Sequence, residues 1–285
     1  MEIVGNGFLA RHLRPLADRH PGSLALAAGI STTAARAPEE LARERRLVTE
    51  TAARCGSDGL LLVFFSTASS AMYGGMGSPA SEDTPAEPIS PYGRHKLALE
   101  RLVAESGTDF LVLRLSHLMG PDQPPHHLLP ALLDQARRGE FRVHSGATRD
   151  ILDVADAVAA LDGLLLGAVR GQVVNVASGR QTPIEIVIDH IERRLGLQVR
   201  RSYVQVEPAQ ATAAEVSVER LRAVMPGLVA RVSRPGYVEA VIDRCLAEGG
   251  AGESRPVPDS MHVRSGHQAR ALASVPTLPI RDQEQ

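Results

Sequence analysis

Short apolar runs alternate with amphipathic stretches from the first residues to about residue 248, and that alternation restricts the fold more than any other feature of the chain. Strand-length runs followed by helix-length stretches build βα units, and βα units build a parallel sheet. The runs at 2–4, 23–27, 59–65, 110–114 and 172–176 are the expected strands. The stretches at 8–19, 39–55, 91–105, 128–138, 154–166 and 183–195 are the expected helices. The fold class is therefore α/β, with a doubly wound, mostly parallel sheet. The pattern fails where Gly249-Gly250-Ala251-Gly252-Glu253-Ser254 opens a tail bearing Pro, Ser and Arg, so 249–285 is expected to be disordered.

The first run leads directly into Gly5-Asn6-Gly7-Phe8-Leu9-Ala10, a G-x-G-x-x-A turn that opens an amphipathic helix. In that setting the first glycine permits the tight turn, the second lets backbone approach a pyrophosphate, and a small third residue lets helix pack on strand. A glycine turn between any strand and helix looks similar, so the context carries the reading. Gly5, Gly7, Phe8 and Leu9 are candidate cofactor-binding residues, joined by Ala28 and Gly29 just after the second run. An acidic residue ~20 positions on ordinarily holds the ribose hydroxyl from the next strand. Here only residues 11–23 separate Ala10 from Leu24, whereas a complete βαβ unit takes ~30 or more. The second strand, its helix and the third strand are thus expected to be missing, which abbreviates the adenosine side.

Of the 31 basic residues, thirty are Arg and one is Lys. That residue, Lys96, stands four positions after Tyr92 in Ser90-Pro91-Tyr92-Gly93-Arg94-His95-Lys96, at a helix start, so the two side chains share a face. An ammonium there is expected to lower the phenol's pKa and orient a nicotinamide ribose, leaving Tyr92 able to exchange a proton near neutral pH. The plainer reading is a solvated Lys beside a turn. With one Lys and four Tyr in 285 residues, that spacing arises by accident only about once in seventy. The third run ends in Ser66-Thr67-Ala68-Ser69-Ser70, which puts hydroxyls at the carboxyl end of a central strand, where ligands bind. Thr67, and after it Ser69, is the expected partner of a substrate carbonyl.

A formal net charge of −2, 3% aromatic residues and no Trp offer neither a basic phosphate-binding surface nor a base-stacking platform, so nucleic acid is not an expected partner. Cys55 and Cys245 have no metal-ligand spacing, so neither a metal site nor a disulfide framework is expected. The opening MEIVGNGFLARHL lacks a basic n-region and an apolar h-region, and no run approaches ~18 apolar residues. The expectation is a cytoplasmic protein with no membrane association.

Taken in order, Gly5/Gly7/Ala10, Ser66-Thr67 with Tyr73-Gly74, Glu82-Asp83-Thr84-Pro85, the Pro91 to Lys96 segment, Leu113-Arg114-Leu115 with Gly120-Pro121, Arg149-Asp150-Ile151-Leu152-Asp153-Val154-Ala155-Asp156 and Asn175-Val176-Ala177-Ser178-Gly179 resemble a known pattern. The chain resembles the extended short-chain dehydrogenase/reductases, within them the NAD-dependent epimerase/dehydratase family acting on nucleotide-activated sugars. The resemblance covers residues 1 to about 246. It implies a Rossmann-like sheet truncated at the adenosine side with a small C-terminal substrate-binding subdomain. Residues 1–125 would form the truncated dinucleotide-binding core. Residues 126–248 would contribute the substrate-binding part and the last core strands.

The resemblance also implies that Thr67 or Ser69, Tyr92 and Lys96 are the catalytic residues and that the cofactor is NAD or NADP. Which of the two is unreadable, because the deciding residues belong to the absent strand. Arg149 would contact the phosphates of a sugar nucleotide, for which a guanidinium is well shaped; the bland alternative is an ion pair with Asp150 or Asp153. The segment Leu26-Ala27-Ala28-Gly29-Ile30-Ser31, with Arg43-Glu44 and Phe65-Ser66-Thr67, looks like a shortened subgroup of surface-polysaccharide and natural-product gene sets. A homodimer through the helix carrying Tyr92 is a further implication.

Family dehydratases place Asp-Glu directly after the catalytic hydroxyl, whereas Ala68-Ser69 follow Thr67, which disfavours dehydration. Ketoreduction needs only the triad and a reduced cofactor. His127 resembles the acid/base His of family epimerase-reductases, whose partner Cys is matched here by Ser69. A histidine opening a helix is more often a cap or a surface group, and His117 and His126 are weaker candidates. The expected function is an NAD(P)-dependent ketoreductase acting on a nucleotide-diphosphate keto-sugar or a related precursor, with His117, His127 and Arg149 against the substrate. The alternatives are an epimerase with no net redox and a non-catalytic sugar-nucleotide-binding or partner protein.

Overall fold

The computed structural model describes residues 1–30, 37–74, 79–205 and 215–249. Its central sheet is built from β1 (Glu2–Val4), β2 (Ser23–Leu26), β3 (Leu61–Thr67), β4 (Phe110–Leu115) and a last strand at Gln172–Val176, all parallel and in that order. These are the five apolar runs of the sequence. Three short pairs accompany the sheet. In them β5 (His117–Met119) lies parallel to β8 (Ile151–Asp153), and β6 (Glu140–His144) parallel to β11 (Arg200–Val204). The third pair sets β7 (Thr148–Arg149) antiparallel to β10 (Thr182–Pro183), and the last core strand is β9.

The helices are α1 (Phe8–Leu13), α2 (Pro38–Asp58), α3 (Ser70–Tyr73), α4 (Pro91–Glu105), α5 (Leu128–Arg137), α6 (Val154–Leu166), α7 (Ile184–Leu195), α8 (Glu219–Val224), α9 (Pro226–Val232) and α10 (Tyr237–Gly249). The first is shorter than the expected 8–19 and gives way to a 3-10 turn at Arg14–Leu16. Pro15 is the cause: it has no amide hydrogen to donate and its ring crowds the preceding turn. Gly249, the first residue of the tail expected to be disordered, belongs to α10, and the rest of that tail, 250–285, lies outside the described residues. None of the described helices is long and apolar enough to cross a membrane.

Alternate residues of the strands face two separate cores. Ala25, Val63, Phe65, Leu111, Leu113 and Val174 pack with Leu13 of α1 and with Ala157, Ala160 and Leu161 of α6. Leu24, Leu26, Leu62, Phe64 and Val112 pack with Val48 and Ala52 of α2 and Leu99 and Val103 of α4. The sheet is thus covered on both faces, as the near-continuous apolar strands require.

One consequence concerns the chain's path. The β1-to-β2 and β2-to-β3 connections step the same way across the sheet, but α1 and α2 lie on opposite faces, so the two crossovers have opposite hands. One of them breaks the right-handed rule that ~98% of such units obey. Helix α1 sits where a crossover to a strand beyond β1 would place it. No described strand lies there, and β1 is the sheet edge. The chain therefore turns back past β1 to reach β2.

Candidate active site

The carboxyl ends of β1 to β4 open on a cleft of about 460 Å³. Its walls include Leu26, Phe65, Leu115, Met119 and Ile151, with Thr67, Ser69, Tyr92, Lys96, His117, His126, His127 and Arg149 among the polar lining. Gly7, Phe8, Leu9 and Gly29 also face it. Gly5 and Ala28 do not line the cleft. Gly5 has φ +133°, and a Cβ there would stand 2.5 Å from the carbonyl oxygen of Ala27, so its glycine serves the close passage of β1 beside the end of β2.

Tyr92 is brought to this cleft by another glycine. Ser90 caps α4, its Oγ accepting from Gly93 N–H at 3.0 Å, and Pro91 opens the helix without a donor to lose. A Cβ on Gly93 would sit 1.7 Å from the Ala71 carbonyl oxygen. Only glycine lets α4 lie this close to α3, and Tyr92 at its start lines the same cleft as the hydroxyls at the end of β3. Thr67 Oγ1 and Ser69 Oγ hydrogen-bond each other at 2.9 Å, and Ser69 Oγ also accepts from Ala71 N–H as the cap of α3.

Lys96 behaves differently from expectation. Its Nζ lies 6.0 Å from the Tyr92 ring centroid and donates to Glu44 Oε1 at 2.9 Å and to the Phe65 carbonyl at 3.4 Å. The Tyr92 phenol is pushed above the usual range, first by burial and second by the negative charge of Glu44. The expected lowering by the ammonium is therefore corrected: Lys96 is turned to a carboxylate that offsets its charge, and desolvation disfavours the phenolate.

His117, also in the lining, is held near pKa 3, chiefly by burial and then by the positive charges of Arg149 and His127, so it is neutral at physiological pH. Burial also depresses the Arg149 guanidinium, which donates to the Thr148 carbonyl at 2.6 Å. The two carboxylates weighed as its partners are engaged elsewhere. Asp150 accepts from Ser178 N–H, Ser178 Oγ and Gly179 N–H, and Asp153 caps α6 and pairs with Arg244. Gln123 Nε2 donates to the Leu118 carbonyl at 2.8 Å, which fixes the amide, and approaches His127 Nδ1 at 3.3 Å. His127 therefore accepts at Nδ1 and carries its hydrogen on Nε2. Among the described residues, His127 Nε2 and Ser66 Oγ are buried without a hydrogen-bond partner, and both residues line the cleft.

Other motif residues do structural work away from the cleft. Arg114 pairs with Glu100 at 2.7 Å and donates to Tyr73 Oη at 2.7 Å, and Tyr73 in turn donates to Asn175 Oδ1 at 2.8 Å. Sequence reasoning assigned no role to Glu44, Ser66 or Gln123. For Glu44 a signal existed: it lies four residues before Val48 on the stripe Val48, Ala52, Cys55 that α2 buries.

The family model described as the NAD dependent epimerase/dehydratase family matches residues 14–177. A dTDP-6-deoxy-L-talose 4-dehydrogenase (NAD(P)(+)) of Kitasatospora kifunensis is 34% identical over 137 residues, 43% of this chain and 42% of that protein. A UDP-glucose 4-epimerase of Rhizobium meliloti is 28% identical over 174 residues, 52% of this chain and 53% of that protein. The chain spans about half the length of these curated relatives. Among solved structures, MoeE5 in complex with UDP-glucuronic acid and NAD superposes with TM-score 0.69 at 22% identity, over 87% of this chain and 85% of that one. RMD from Pseudomonas aeruginosa complexed with NADPH also superposes with TM-score 0.69, at 21% identity, over 86% of this chain and 98% of that one. At these identities the superpositions establish the fold.

Proposed function

Since the chain belongs to the NAD dependent epimerase/dehydratase family, we propose that it is an NAD(P)-dependent ketoreductase acting on the carbonyl of a nucleotide-diphosphate keto-sugar. The observation that carries this reading is the convergence of Tyr92, Lys96 and the Thr67–Ser69 hydroxyl pair on one cleft, with Gly7, Phe8 and Leu9 also lining it. The residues fit a nicotinamide dinucleotide. A Cβ on Gly7 would meet nothing within 4 Å, so backbone there is open to a close-lying group, and Ser66 Oγ and His127 Nε2 lack partners that a polar ligand can supply.

When bound, the reduced nicotinamide supplies a hydride to the carbonyl carbon. Tyr92, protonated at neutral pH, donates its phenolic proton to the carbonyl oxygen. The Thr67 and Ser69 hydroxyls orient that oxygen. We assign residues 1–125 to the truncated dinucleotide-binding core and 126–248 to a mixed region that contributes the substrate-binding part and the last core strand, β9, with Arg149 of that region binding the diphosphate. His117, neutral at physiological pH, and His127 take positions against the sugar.

The epimerase reading needs an extra acid/base group, and His127 suits it poorly. Burial, and after it His126, lowers its pKa, and its Nδ1 is occupied by an amide donor. A single incubation separates the readings: protein, a keto-sugar nucleotide and NADPH or NADH in deuterated water. Cofactor oxidation in step with alcohol formation supports the reductase. Deuterium entry beside the carbonyl without oxidation supports the epimerase. Failure to bind either cofactor supports a non-catalytic sugar-nucleotide-binding protein.

A further inference from the structure

The outer side of β1 is unpaired among the described residues. Glu2 is exposed and Ile3 and Val4 are half-buried, whereas β2, one strand inward, is buried throughout. The route from α1 to β2 is a series of tight turns: the Ala17 amide donates to the Arg14 carbonyl at 3.0 Å, Arg19 to Leu16 at 3.1 Å and Ser23 to His20 at 3.2 Å. Residues 14–22, all described, thus include no strand beside β1. In a dinucleotide site that next strand brings an Asp or Glu, ~20 residues after the glycine turn, whose carboxylate takes the hydroxyls of the adenosine ribose. No acidic residue stands between Asp18 and Glu39. The Met1 ammonium donates to the Ala17 carbonyl, which puts Asp18 at the amino end of β1, away from the cleft. Glu39 is exposed in the first turn of α2 and does not line the cleft. Glu44, further along α2, is engaged by Ile30 N–H, His95 and Lys96.

We propose that this chain recognises its cofactor by the nicotinamide mononucleotide half alone, so that the mononucleotide binds about as well as the dinucleotide and NAD is not told from NADP. The inference rests on the cofactor reading given above. The lining of the cleft comes from the glycine turn, the ends of β2, β3 and β4, the start of α4 and the stretch 117–151, and none of these lining residues carries a carboxylate. A cleft of about 460 Å³ falls within the ~300–1,000 Å³ that encloses one drug-sized ligand, which suits a mononucleotide beside a sugar. The hydride donor belongs to that half. The remote half of a ligand ordinarily supplies binding energy through contacts of its own, and the unpaired side of β1 offers the adenosine ribose no acidic partner. The 2′-phosphate that distinguishes NADP sits on that same ribose, so its presence changes little.

Titration calorimetry of the full chain with reduced nicotinamide mononucleotide, NADH and NADPH tests this without turnover, and AMP, the other half of the dinucleotide, serves as competitor. The three dissociation constants should fall within about tenfold of one another, and a large excess of AMP should leave NADH bound. A spread wider than about tenfold, or displacement of NADH by AMP, overturns the proposal and leaves the cofactor reading in place. If none of the three nicotinamide ligands binds, the cofactor reading fails and the proposal fails with it. The unsubstituted protein decides every outcome, so no variant has to fold.

Discussion

Thr67 Oγ1 and Ser69 Oγ lie 2.9 Å apart, one at the end of β3 and the other capping α3, so the two hydroxyls form a hydrogen-bonded pair at the cleft, which on the proposed reading orients the substrate carbonyl together. Thr67→Val and Ser69→Ala should each lower kcat, by roughly tenfold to several hundredfold, as loss of an oxyanion-type donor does. The double variant should cost less than the product of the two, because each single change already disturbs the remaining hydroxyl. Steady-state kinetics of the three variants checks this; strict multiplicativity would show that the hydroxyls work independently.

On the proposed reading, Tyr92→Phe removes the proton donor and little else. Turnover should drop by about 10²–10⁴ while cofactor and sugar-nucleotide affinities stay within a few fold. Unchanged turnover would sink the assignment of Tyr92.

The depressed pKa of His117 makes stability depend on pH. Its folded value, about 3, lies below the ordinary 6.5, so between those values the unfolded chain binds more protons than the folded one. Stability contributed by neutral His117 is therefore present above pH 6.5 and lost as pH falls toward 3. His127, lowered in the same direction, adds to the loss. Thermal unfolding across this range should show Tm falling with pH, and His117→Asn should flatten the fall. An equal slope in that variant would assign it to other groups.

Arg114 and Glu100 form a buried, forked pair between β4 and α4. Arg114→Met strands the carboxylate and also leaves Tyr73 Oη without a donor, so it should cost about 3–5 kcal/mol in urea unfolding. Arg114→Met combined with Glu100→Met should recover much of that loss. A single variant within 1 kcal/mol of the parent, roughly the worth of an exposed pair, would contradict the arrangement.

The sheet was legible because β2, β3 and β4 are buried along nearly their whole length, while the three-residue β1, with Glu2 exposed, was marked by the glycine turn that follows it; all five runs became its strands. The β5 to β8 pair and the β7 to β10 pair are two or three residues a side, too short for any period, and they exist only because tertiary packing brings their partners together. The i, i+4 spacing of Tyr92 and Lys96 was visible, and so was the glycine turn. The direction in which Lys96 points was not, because its partner lies 52 positions away on another helix. Burial of the phenol, and after it the charge of Glu44, reversed the expected sign of the Tyr92 shift. Glu44 was within reach of the sequence, as the acidic member of a buried stripe, but a stripe alone does not say what the acid meets.

The reading stands on the cleft accepting a nicotinamide dinucleotide even though β1 is the edge of the sheet. Titration calorimetry of the full chain with NAD, NADH, NADP and NADPH tests that directly. Saturable binding of at least one of the four, abolished or much weakened by a bulky replacement such as Gly7→Trp, is the predicted result; no heat from any of them at millimolar concentration would contradict it.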